Sequence, residues 1–123
     1  MTPATQRQHY VAQVVGLYRS VPGTSGAVRR ADLRLAGRLH DRGVTIHALC
    51  AAMILATARR LFRSPDAAPL TSIATLHYFL PLLDEIKAAP PDAGYIEYLK
   101  HKLTSLAPGF VATIDYRDQR TIR

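Results

Sequence analysis

A chain of 123 residues suits one hydrophobic core and leaves too little for two, so a single domain is expected. Hydrophobic residues make up 48%, ordinary for a globular protein, while the absence of tryptophan and an aromatic content of 7% argue against a broad stacking platform for single strands, although six tyrosines leave one open. The net charge of +7 lies entirely before Ser64: residues 1–63 hold ten arginines against Asp32 and Asp41, whereas residues 64–123 hold six basic and seven acidic side chains.

In chain order, Tyr10, Val11, Val14, Val15, Leu17, Tyr18 and Val21 recur at helical spacing and predict a first helix over residues 4–20. Pro22, Gly23 and Gly26 break it. A second helix is predicted over residues 27–42, with Ser25 or Thr24 as its cap and Gly43 as its left-handed stop. Thr45 is the expected N-cap of a third helix over residues 46–62, apolar almost all round and therefore the buried centre of a bundle.

Ser64-Pro65-Asp66-Ala67-Ala68-Pro69 reads as a loop, followed by a helical stretch over residues 71–88 in which Pro81 starts a new segment or makes a kink. Asp92 caps a last helix over residues 93–106, whose apolar side carries Tyr95, Ile96, Leu99 and Leu103. Residues 110–114, Phe110-Val111-Ala112-Thr113-Ile114, read as a short strand or an extended arm on the core. The expected fold is thus all-α, a compact bundle of about five helices with an extended or short-strand C-terminal tail. Residues 1–114 form the domain, and residues 115–123 a polar, basic, mobile tail.

Cys50 is the sole cysteine, so no intramolecular disulfide forms, as expected in a reducing compartment. Residues 1–7 lack the layout of a signal peptide, and the most apolar run, Ala48 to Ala56, is far shorter than the roughly 20 residues of a membrane span. A cytoplasmic location without membrane contact is expected.

Few groupings suggest chemistry. His47 and Cys50 stand three apart on a helix, but a structural zinc needs four ligands and no partners cluster with them, so no metal or other cofactor is expected. Asp84-Glu85, Asp92 and Glu97 form no acid–base arrangement, and Tyr116 alone is no nucleophilic site. No phosphate-binding glycine loop or dinucleotide fingerprint is present, and the expectation is a protein that is not an enzyme.

The informative pattern is Arg30, Arg34, Arg38 and Arg42, at strict four-residue spacing with Arg29 beside its start. On a helix these side chains form one slowly drifting row, about 6 Å apart along the axis. Like charges so placed cost a few tenths of a kcal/mol per pair, a cost that phosphates along a groove would offset. The alternative is a solvated face, which charged helices usually are, and the excess of arginine over lysine, 13 to 3, is also what a GC-rich coding bias produces. Arg59, Arg60 and Arg63 at the end of the third helix are expected to support the row. The order helix, turn, helix around Gly43 invites a helix-turn-helix reading, yet the third helix offers a groove chiefly Thr45 and His47, so the arginine-bearing helix is the better contact surface.

The stretch Ile73-Ala74-Thr75-Leu76-His77-Tyr78-Phe79-Leu80-Pro81-Leu82-Leu83-Asp84-Glu85-Ile86, preceded by Ser64-Pro65-Asp66, resembles a helix near the C-terminus of plasmid and phage replication initiators and DnaD-like primosomal proteins. The resemblance implies a helical DNA-binding or DNA-remodelling module of a mobile element. Two expectations follow. The first is a DNA-binding (or RNA-binding) accessory protein of replication or recombination, gripping phosphate through Arg29, Arg30, Arg34, Arg38 and Arg42 and working beside a larger replication or recombination protein. The second is an adaptor or regulatory subunit whose basic row meets an acidic surface of a nucleoprotein enzyme.

Overall fold

The computed structural model describes residues 2–122 along the backbone and residues 2–118 in their side chains. It contains, among these, six α-helices: α1 (Pro3–Ser20), α2 (Arg30–Asp41), α3 (Ile46–Leu61), α4 (Leu80–Ala88), α5 (Ala93–Leu103) and α6 (Pro108–Ile122), with one 3-10 turn, Leu76–Phe79, leading into α4. The chain is all-α, as expected, and no described helix is long and apolar enough to cross a membrane.

The third helix is the axis of the molecule. Every residue from Leu49 to Ala58 is buried, together with Ile46. α3 packs on α1, α4, α5, α6 and the 3-10 turn, which is what a helix without a polar face requires. Burying each of Leu49, Met53 and Ile54 contributes roughly 1.5–3 kcal/mol. The Thr45 hydroxyl caps its start by accepting from Ala48 N–H at 3.0 Å. The turn before it closes at Gly43, whose φ of +77° favours glycine. Inside, the thiol of Cys50 is pushed up to about 12 by burial, so it serves as a small apolar core residue.

α2 begins later than the sequence predicts. Residues 27–29 are not helical, and neither Ser25 nor Thr24 is the cap. The cause is a partner far along the chain. Ile73 N–H donates to the Gly23 carbonyl at 2.7 Å and Ser25 N–H to the Ile73 carbonyl at 3.0 Å, so the linker is held extended beside residues 70–75. Tyr18 adds its hydroxyl to the same Ile73 carbonyl. Those residues are in turn extended rather than helical, and Pro81 starts α4 in its first turn, where no N–H is missed.

A buried carboxylate completes this clasp. Asp32, only 3% exposed, accepts from Arg29 N–H at 2.9 Å, from the Thr75 hydroxyl at 2.7 Å and from Leu76 N–H at 2.9 Å. One side chain therefore caps both α2 and the 3-10 turn, and joins elements more than forty residues apart.

The C-terminal region also departs from expectation. Residues 110–114 are neither strand nor extended arm but part of α6, which continues through the segment 115–122 expected to be a mobile tail. Ala107, Phe110, Val111 and Ile114 are buried and recur at i, i+3, i+4 and i+7, the stripe of a helix docked on a core. Polar contacts hold the next turn: Lys100 Nζ lies 2.7 Å from Asp115 and 3.1 Å from Glu97, and His47 Nδ1 lies 3.0 Å from Asp118. Burial opposes the charge on Lys100, but these two carboxylates outweigh it and raise its pKa. Arg123 lies outside the described residues.

Burial opposes the ionised form of Asp32, yet its three hydrogen bonds prevail and hold its pKa below the usual carboxylate value. A depressed folded pKa stabilises the fold above the unfolded value, about 3.9, and that contribution is lost as pH falls through the lower folded value. Replacing Asp32 by Asn sets an NH2 against one of the two backbone N–H groups that its oxygens accept from and is expected to cost about 2–3 kcal/mol at neutral pH. Urea denaturation at about pH 6 and about pH 3 checks this, the gap between the two proteins narrowing in acid.

Candidate nucleic-acid interface

α2 divides its residues cleanly. Asp32, Leu35, Ala36 and Leu39 turn inward, and Arg30, Arg34, Arg38 and Arg42 are all exposed. Arg29 stands in extended conformation just before the helix, and Arg42 continues the helical turn just after it. Over twelve residues the row rises roughly 18 Å. Among the described residues, no hydrogen bond or ion pair involves the side chains of Arg30, Arg34, Arg38 or Arg42.

The two carboxylates of α2 are engaged elsewhere, so neither neutralises the row. Asp32 is inside the clasp. Asp41 accepts from Arg7 of α1 at two points, 3.0 and 3.2 Å, with His40 Nδ1 3.3 Å away. The Arg7 hydrogen bonds, followed by that of His40, hold the Asp41 carboxyl below its ordinary range. Arg7 reaches it by lying across Gly37: a Cβ there would stand 2.2 Å from the guanidinium. A glycine inside a helix costs about 1 kcal/mol against alanine, and here the buried Gly37 makes room for an arginine.

Arg7 was not legible as a member of the site, since its partner is 34 residues away. With Leu33, Arg34 and Arg38 it lines an open concavity beside the row. This leads into a groove of about 760 Å³ along α1, floored by Val11, Ala12 and Val15 and bordered by Arg7, Arg19, Leu33 and Arg117.

Arg59, Arg60 and Arg63 have local partners on other elements. Arg59 forms a two-point ion pair with Glu85 of α4. Arg60 sits against Gly23, donates to the Thr71 carbonyl at 3.0 Å and covers the Tyr78 ring. Arg63 donates to the Ala68 carbonyl at 2.8 Å. They fasten the loops around the end of α3. Nor does α3 present a free face between Leu49 and Ala58, so it cannot enter a groove as a recognition helix.

The row is a store of repulsion. Three successive i, i+4 arginine pairs cost about 0.2–0.5 kcal/mol each at low salt. Replacing both Arg34 and Arg38 by Gln removes all three and is expected to raise the melting temperature by a few degrees in low salt, the difference shrinking as salt is added. Circular dichroism melts in about 20 mM and about 500 mM salt read this directly.

No family model, curated protein or solved structure matches this chain.

Proposed function

We propose that this protein binds DNA without catalysing a reaction on it, as an accessory factor of replication or recombination in a mobile element. The observation that carries the reading is the exposed row Arg30, Arg34, Arg38 and Arg42, whose only same-helix carboxylates are buried or held by Arg7. Guanidinium groups at about 6 Å intervals match a run of phosphates. The helix after the row, α3, is too deeply buried to read base edges, so contacts to the backbone dominate and sequence preference is weak. The mobile-element setting rests on the resemblance of residues 73–86 to replication initiators and primosomal proteins, although α-helix begins there only at Leu80.

Four engaged arginines displace about four counterions, giving a slope of about −3 to −4 for log affinity against log salt on duplex DNA. Arg34→Glu with Arg38→Glu is expected to weaken duplex binding tenfold or more without loss of fold. A mobility shift in low and moderate salt tests both statements. Absence of a low-salt shift, or a shift indifferent to the double variant, refutes the reading.

A second reading draws on the α1 groove. Its apolar floor of Val11, Ala12 and Val15 with Arg7 and Arg19 at the border suits an acidic amphipathic helix of a protein partner. Stoichiometric co-purification with a protein, unaffected by nuclease and abolished by Val15→Glu, would favour an adaptor over a DNA-binding protein.

A further inference from the structure

A second patch, which the row does not use, lies where α3 ends against α5. Tyr95 and Tyr98 are 50% and 54% exposed, with ring centroids 6.4 Å apart and planes inclined by 26°. Phe62, just after α3, is 37% exposed. Lys102 Nζ ties the rings together, 4.6 Å from the Phe62 centroid and 5.5 Å from that of Tyr98. Arg59 and Arg63 flank Phe62 on the same helical end. The nearby carboxylate of Glu85 is spent on Arg59, so Lys102, seated over the Phe62 and Tyr98 rings, and Arg63, bonded to the Ala68 carbonyl, have no carboxylate partner among the described residues.

Two tyrosine rings half in water, with the Phe62 ring over a third exposed, are costly surface unless something covers them. Their surroundings select the occupant. An apolar protein surface would match the rings and leave two cations facing it without counter-charge. A single-stranded nucleic acid matches both features, its unpaired bases stacking on ring faces while its phosphates meet the ammonium and guanidinium groups. A base pair within a duplex hides its faces in the stack, so it cannot use this patch. α5 packs on α3 and α6, whereas α2 packs on α1 and the 3-10 turn, so the patch and the row belong to separate parts of the bundle.

We propose that Phe62, Tyr95, Tyr98 and Lys102 form a binding site for unpaired nucleotides of single-stranded nucleic acid, distinct from the arginine row. The inference rests on the nucleic-acid reading above and extends it. The protein then holds a duplex on one surface and an unpaired strand on another, which suits a junction or a partly melted end.

The absence of tryptophan makes the test simple, because protein emission comes from its six tyrosines. Titration with a 15-residue oligo(dT) is expected to quench tyrosine fluorescence, and a blunt 15-base-pair duplex to quench it far less. Tyr95→Ala with Tyr98→Ala is expected to lower oligo(dT) affinity at least tenfold in a mobility shift, while duplex affinity changes less than twofold. All the substituted side chains are exposed, and circular dichroism melts confirm that the variants fold. In Arg34→Glu with Arg38→Glu the oligo(dT) quench persists even as duplex binding fails. Unchanged oligo(dT) affinity in the tyrosine variant overturns the proposal, as does equal loss of both ligands. Failure of the arginine variant to affect duplex binding overturns the row's role instead, so the two ideas fail by different signals.

Discussion

A single carboxylate decides how the two halves of this chain meet. Asp32 serves two helical starts at once: it accepts from the part-buried Arg29 N–H before α2 and from the buried Leu76 N–H in the turn that leads into α4. Because those turns are distant in sequence, the bond that ends α1's linker in the right place also fixes the entry of the C-terminal half. The parallel bridge at Ile73 and the hydroxyl of Tyr18 reinforce the same junction. The clasp ties the start of α2 to the turn before α4, while packing on α1 fixes the rest of the helix and with it the face its arginines occupy.

That orientation explains how a helix with two acids still shows an unneutralised cationic face. A helix carrying arginines at every fourth position is disfavoured by its own charge. α2 holds together because its inner stripe, Leu35, Ala36 and Leu39, is buried and because α1 packs along it. Packing thus offsets repulsion that propensity alone would not. Burial of Asp32 and the ion pair of Asp41 with Arg7 then occupy the two carboxylates best placed to soften the row.

How much of this could be read from the residues alone follows a physical division. Signals local to one turn were legible: Thr45 and Asp92 as caps, Gly43 as a left-handed stop, and the all-round apolar character of α3. The row itself needed only a count of four. Features made by distant partners were not. Nothing near residues 23–25 reveals that Ile73 will pair with them, nothing near Arg7 points to Asp41, and Phe62 gives no sign of Lys102. α6 is a different case, since Ala107, Phe110, Val111 and Ile114 do carry helical spacing. There the β-branched and aromatic run suggested a strand, and burial against α1 and α3 overrode that propensity.

The pairing of Arg7 with Asp41 across Gly37 bears on how portable the arginine helix is. A peptide of residues 29–42, or the same segment grafted onto another scaffold, would lose both the guanidinium that restrains Asp41 and the Thr75 hydroxyl and Leu76 N–H that cover Asp32, keeping only the Arg29 N–H. It would also be too short to stay helical by itself. The cationic face is therefore a property of the assembled bundle, and cannot be moved as a cassette without α1 and the Thr75–Leu76 turn travelling with it.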